Sequence, residues 1–83
     1  MNLIKNIEKI QEYIFMYDLE KIQKEIIQFT NDFSFFLRNI SSKDINVFME
    51  IFEYINIAIK NKDYLLIADL LEFELKPLLE KMN

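Results

Sequence analysis

Carboxylates are the only side chains in this sequence that suit proton transfer near neutral pH or the binding of a hard cation. The 83 residues include no His and no Cys, so the common general base, the thiol nucleophile and the commonest transition-metal ligands are missing. Acidic residues are most concentrated at Asp69, Glu72 and Glu74. Asp69 and Glu72 are three residues apart, so on a helix both could reach one cation or one basic partner.

The surrounding sequence favours a solvated or partner-contacting face over a catalytic site. The chain has no Glu-x-x-His pair, calcium-loop pattern, phosphate loop or nucleophile–base pair. A helix with an apolar stripe also needs a solvated face. We therefore expect no enzymatic activity, no cofactor and no metal, and we treat Asp69, Glu72 and Glu74 as a candidate acidic contact face.

Net charge and the distribution of charged residues limit the partners. Ten basic and fourteen acidic residues give a net charge of −4, so nucleic acid is not an expected partner. Charged residues interrupt every apolar run well before the roughly 18 residues that suggest a membrane-spanning helix. The N-terminal residues lack the apolar core of a secretory signal, and lysines matched by glutamates argue against a helix lying on a membrane surface. We expect a cytoplasmic protein that does not bind membranes.

The elements that position these side chains are predicted to be helices. The sequence has no Gly and one Pro, so tight β-hairpin turns have little local support. Apolar residues instead recur in steps of three and four, the spacing of one helix face. The pattern predicts an all-α fold, one domain over residues 1–83, built as an antiparallel helical bundle of about four segments. The segments lie near residues 2–16, 18–40, 43–60 and 63–82.

The apolar stripe changes phase near Asp18. If the first stripe continued, it would fall on polar residues, so the apolar face moves by two positions, about 200° around a helix. Either the chain turns here, with Asp18 capping a second helix, or one long helix presents opposite faces to two neighbours. The first stripe contains Leu3, Ile7, Ile10, Ile14 and Tyr17. The second contains Phe15, Leu19, Ile22, Ile26, Phe29, Phe33, Phe36 and Ile40.

Capping residues and one proline mark the other boundaries. Either Ser41 or Ser42 can cap the third segment, and Asp63 can cap the fourth. Asn61 suits the left-handed position that follows a helix. Pro77 has no backbone N–H and clashes with the carbonyl four residues back, so we expect the last helix to kink or to stop near Lys76.

Several large apolar residues lie beside the main stripes. Each is either covered by another element or exposed as an anchor for a partner. The main line of the last segment contains Tyr64, Ala68, Leu71, Leu75, Leu78 and Met82. The candidate interface residues lie off the main lines of the second, third and last segments and are Phe35, Tyr54, Ile57, Leu66, Leu70 and Phe73.

The segment at residues 61–79 reads NKDYLLIADLLEFELKPLL. It resembles a stretch of short, uncharacterised helical proteins of Gram-positive bacteria, with the pattern K-D-Y-x-x-[LI]-A-D-x-L-E-[YF]-E-L-x-P-L-L. The match covers about a quarter of the chain. The resemblance implies an all-helical cytoplasmic protein without an assigned activity. Within it, Asp63 would be a helix cap, Tyr64 the first core residue, Ala68 a close-packing position and Pro77 a stop.

Helices with apolar residues on two sides need neighbours on both, so we expect the chain to self-associate. The favoured function is a protein-interaction module, a small adaptor or chaperone-like factor that covers an amphipathic helix of a client. The alternative is a purely structural homodimer with no further client. A third hypothesis, an enzyme that uses Asp69 and Glu72, lacks the partner groups such chemistry needs.

Overall fold

The computed structural model describes residues 3–81, and this part of the chain is helical with no strand. The predicted all-α class is therefore confirmed. Met82, which was assigned to the last apolar line, lies outside the described residues. The first three helices are α1 (Leu3–Phe15), α2 (Leu19–Asn39) and α3 (Ser42–Lys60). The fourth helix has three consecutive segments, α-helical Tyr64–Asp69, π-helical Leu70–Leu75 and α-helical Lys76–Lys81.

Consecutive helices run antiparallel, and α1 packs against both α2 and the fourth helix. The Asn6 side-chain amide donates to the Asp32 carboxylate at 2.7 Å, which places the start of α1 beside the second half of α2. The Gln11 amide donates to the Glu72 carboxylate at 2.7 Å, so α1 also contacts the middle of the fourth helix. The structure confirms the antiparallel bundle.

The phase change near Asp18 is a turn between two helices. Tyr17 has a φ of 55°, which is the left-handed conformation that lets a helix end abruptly. The backbone N–H of Asp18 donates to the Tyr13 carbonyl at 3.1 Å, as in a Schellman motif. The Asp18 carboxylate then accepts from the Lys21 N–H at 3.2 Å and caps α2. Of the two interpretations left open by the sequence, the turn is correct.

The turn before the fourth helix repeats this backbone with one correction. Lys62, with a φ of 54°, is the left-handed residue, whereas Asn61 keeps a right-handed φ of −87°. The Asp63 carboxylate caps the next helix by accepting from the Leu66 N–H at 3.1 Å. In both turns the left-handed residue directly precedes the capping Asp. The position of the cap therefore identifies the left-handed residue. The prediction that Asn61 is left-handed was one residue too early.

A cluster of phenylalanines joins α2 to α3 in the core. Phe33 is fully buried and stacks on Phe29 with ring centroids 5.5 Å apart. The Phe52 ring meets Phe33 edge-on at 4.8 Å, and Phe36 meets Phe48 in the same way at 5.2 Å. Edge and offset contacts of this kind add to the stabilisation that burial of the rings provides.

The fourth helix buries Leu71 and Leu75 as predicted, but its buried line continues through Ile67 and Leu79 and not through Ala68 and Leu78. Its buried residues are Ile67, Leu71, Leu75 and Leu79, in steps of four, whereas Leu78 is only half-buried. Four residues exceed one α-helical turn of 3.6, so such a line would drift around an α-helix. The π-helical segment has i→i+5 hydrogen bonds and more residues per turn, which keeps the line facing the core.

Pro77 changes the type of helix and does not end it. The π-helical segment finishes at Leu75, and the Lys76 N–H donates to the Leu71 carbonyl, five residues back. An α-helix then continues through Pro77 to Lys81. The expected stop near Lys76 is therefore wrong. Local widening of the backbone before the proline accommodates the residue that would otherwise clash with the preceding turn.

Candidate functional site

An apolar groove runs along the contact between α3 and the fourth helix. Its volume is about 650 Å³. We call it the groove and define it by its nine lining residues: Val47, Glu50, Ile51, Tyr54, Leu70, Phe73, Glu74, Pro77 and Leu78.

Helical spacing places these residues in two facing rows. On α3, Val47, Glu50 and Tyr54 follow one another in steps of three and four. The other row, on the fourth helix, contains Leu70, Phe73 and Pro77. Residues at such steps lie on one face of a helix. The same steps extend the first row to Ile57 and the second row to Leu66, both of which are exposed.

The walls of the groove are exposed, and its floor is buried. Phe73 is 71% exposed and Tyr54 is 54% exposed. Ile51 is buried, and Leu70 and Leu78 pack against the core. Soluble monomers expose contiguous apolar surface of this kind only to a limited extent, and larger patches mark interaction sites. The groove is therefore a surface that a further apolar element can cover.

Acidic residues border the groove. Glu50 stands on the α3 wall and Glu74 on the opposite wall. A smaller pocket of about 280 Å³ shares Val47 and Leu78 with the groove and adds Asp44 and Lys81. Three carboxylates and one ammonium group therefore line the groove and the pocket that shares residues with it.

The candidate acidic contact face is divided between two surfaces of the fourth helix. Glu72 faces α1, where its carboxylate accepts from Gln11 and lies 3.9 Å from the Lys76 ammonium group. Glu74 lies at the groove instead, on the other side of the fourth helix. Asp69 is exposed. Among residues 3–81, no group of three or more His, Cys, Asp or Glu residues is arranged to hold a metal ion.

Five of the six candidate interface residues lie in or beside the groove. Tyr54, Leu70 and Phe73 line it, and Ile57 and Leu66 continue its two rows. Phe35 is separate from them. It is exposed on α2 and does not line the groove.

A second apolar surface, at one end of the bundle, was missed by the sequence analysis. It lies between the α1–α2 turn and the start of the fourth helix and has a volume of about 390 Å³. Its most exposed members are Phe15 at 86%, Tyr17 at 79% and Leu65 at 72%. We call it the end patch and define it by its lining residues, none of which is charged: Gln11, Ile14, Phe15, Tyr17, Ile22, Tyr64, Leu65 and Ala68.

Phe15, Tyr17 and Leu19 were placed on the apolar stripes, but all three are exposed. Their spacing fits a helix face, but the helix ends at Phe15 and the next begins at Leu19. The signal available in the sequence was the overlap of two stripes that are out of phase. The large apolar residues at this overlap lie in or next to the turn, where they stay exposed.

The fold and the two surfaces define an antiparallel four-helix bundle with uncovered apolar faces. Within residues 3–81, no helix combines the length and apolar character needed to cross a membrane. The chain belongs to the family DUF8042, described as a domain of unknown function, whose model matches residues 1–83. No curated protein and no solved structure is similar enough to this chain to count as a match.

Proposed function

We propose that this protein is a non-enzymatic interaction module that binds a helix of a client protein in the groove, as a small adaptor or chaperone-like factor of the cytoplasm. The observation that carries the proposal is the exposure of Tyr54 and Phe73 above a buried apolar floor. Aromatic anchors at the centre of a concave surface are typical of residues that dominate binding energy.

The shape of the groove supports a helix as the bound element. Two antiparallel helices form its walls, and a third helix can pack its side-chain ridges between them. The α3 row from Val47 to Ile57 corresponds to roughly 15 Å at 1.5 Å per residue. That length matches about three turns of a client helix with apolar anchors at i, i+3 or i+4, and i+7.

The non-enzymatic part of the proposal is supported by the residues themselves. The sequence contains neither His nor Cys, and Glu72 is engaged with Gln11 and Lys76. For the cytoplasmic location, the support is the distribution of charged residues along all four helices. Cell fractionation with an antibody against the chain tests that location.

The test of client binding is differential capture from an extract of the source cells. Phe73→Glu places a charge on the exposed groove wall, where it should leave the core intact and prevent an apolar helix from docking. Ile27→Glu is the matched control, because Ile27 is exposed on α2 and lines neither the groove nor the end patch. We expect wild type and Ile27→Glu to retain the same stoichiometric client, and Phe73→Glu to lose it. Equal capture by all three proteins would contradict the proposal, provided that circular dichroism shows all three to be folded.

Self-association is a second candidate function, and the end patch favours it. A two-fold homodimer brings the same patch of each copy together. At the end patch such a contact opposes no like charges, because none of the lining residues is charged. At the groove it would bring Glu50 and Glu74 of one copy towards those of the other, so the end patch is the better site for a homodimer. The purely structural alternative is this dimer without any client.

A further inference from the structure

We propose that the groove selects a basic amphipathic helix, one whose apolar face is flanked by lysine or arginine residues. This inference rests on the proposed function, since it names the chemistry of the client. It depends on the charges around the groove, which are separate from the apolar walls that carry the proposal of helix binding.

The two central carboxylates stand on opposite sides of the groove. Glu50 belongs to the α3 wall and Glu74 to the wall of the fourth helix, and both are exposed. A helix lying between the walls therefore has a carboxylate along each flank. Lysine or arginine at the positions beside its apolar face can reach these groups, because long basic side chains extend along apolar surface and keep the charge at its edge.

Lys76, which begins the last α-helical segment of the fourth helix, pairs with carboxylates on a different surface. The Lys76 ammonium group lies 3.9 Å from Glu8 of α1 and 3.9 Å from Glu72. The Lys76 ammonium group therefore pairs with carboxylates on the α1 side of the fourth helix. At the far end of the groove, Asp44 and Lys81 line the adjoining pocket together, so the negative charge is concentrated at Glu50 and Glu74.

The same charges disfavour other occupants. A second copy placed symmetrically on the groove would oppose carboxylates with carboxylates, and like charges across an interface weaken binding. An acidic helix meets the same repulsion. A basic helix gains attraction on both flanks and faster association, so the charges that exclude a second copy favour a basic client.

Two synthetic peptides of about 18 residues test the inference, since shorter helices form poorly in water. Both carry the same apolar face with a single tryptophan, and one has lysine flanks where the other has glutamate. The chain itself has no tryptophan, so tryptophan emission reports the peptide alone. We expect wild type to bind the lysine peptide about tenfold more tightly than the glutamate peptide, as a few exposed ion pairs can provide.

Charge reversal identifies the groups responsible. The double variant Glu50→Lys/Glu74→Lys should reverse the preference and bind the glutamate peptide more tightly. The matched control is Glu12→Lys/Glu20→Lys, which changes the net charge equally at exposed positions outside the groove. We expect this control to keep the wild-type preference, with circular dichroism confirming that both variants are folded.

The outcomes separate this inference from the proposed function. If wild type binds both peptides equally and Phe73→Glu binds neither, the groove accepts a helix but the charge selection is overturned. If both double variants lose the preference equally, net charge and not the groove determines selection, and the inference is again overturned. If wild type binds neither peptide, helix binding and charge selection both fail.

Discussion

The groove and the end patch are both exposed and apolar, and they differ in charge. Carboxylates stand on both walls of the groove, whereas the end patch is lined by apolar, aromatic and amide side chains without a charge. Apolar exposure alone indicates that a surface is a candidate for binding another molecule. On the charge around each surface rests our proposal that the groove binds a basic helix and the end patch a second copy.

The two surfaces also depend on different features of the backbone. The fourth-helix wall of the groove includes Leu70, Phe73 and Glu74 from the π-helical segment Leu70–Leu75. The end patch is built by two turns in which Tyr17 and Lys62 adopt left-handed conformations. Because these features lie in separate parts of the chain, substitutions can affect one surface and leave the other intact.

The largest effect should come from a residue on which both surfaces depend. Phe33→Ala removes a fully buried ring that contacts phenylalanines of both α2 and α3. We expect a loss of about 3–5 kcal/mol in the free energy of unfolding, the usual range for such a truncation. Urea denaturation measures it, and client binding and self-association should weaken together. A loss below about 1 kcal/mol would show that the aromatic cluster does not hold the bundle together.

The second-largest effect should fall on self-association and leave peptide binding at the groove unchanged. Leu65→Glu places a charge in the end patch, which a two-fold contact would bring against the same charge of the second copy. We expect the self-association constant to fall by about tenfold or more, with binding of the lysine peptide unchanged. Sedimentation equilibrium at micromolar concentration measures the change, and Phe73→Glu is the control. A wild-type mass of 10.1 kDa, that of the monomer, at all concentrations would show that the chain does not self-associate.

Salt should distinguish the surfaces without any substitution. Raising NaCl from about 50 to about 500 mM shortens the range over which exposed charges interact. Binding of the lysine peptide at the groove should therefore weaken several-fold, while self-association at the uncharged end patch should not weaken. Fluorescence titration measures the peptide affinity, and sedimentation equilibrium measures self-association. Equal weakening of both would contradict the assignment of charge to the groove alone.

The smallest effect concerns the π-helical wall. Pro77→Ala restores a backbone N–H and removes the steric reason for widening the helix before residue 77. We expect the free energy of unfolding to change by no more than about 1 kcal/mol, while peptide affinity falls a few-fold because the Phe73 row shifts. Calorimetric titration measures the affinity. Unchanged affinity would show that the groove does not depend on the π-helical segment.

Helix boundaries were predictable because local chemistry fixes them. The carboxylates of Asp18 and Asp63 cap the second and fourth helices, and Ser41 caps the third. The spacing of apolar residues did not predict burial where an α-helix ends. Spacing placed Phe15 and Tyr17 on apolar stripes although both are exposed, because it records direction around a helix and not where that helix ends.

The groove was only partly predictable from the sequence. Spacing identified Tyr54 and Phe73 as lying off the main stripes, but it could not show that α3 and the fourth helix bring them together. Glu50 went unrecognised for the same reason. Spacing found Leu71 and Leu75 but missed Ile67 and Leu79, because a line with steps of four drifts around an α-helix and stays on one face only where the helix is wider.

The most direct test of charge-directed binding at the groove is an NMR titration of isotope-labelled protein with the lysine peptide, at concentrations below the onset of self-association. We predict that backbone amide shifts change at residues 47–57 and 66–76, and that those of Phe15, Tyr17 and Leu65 stay constant. Shift changes centred on the end patch, or spread evenly over all four helices, would contradict it.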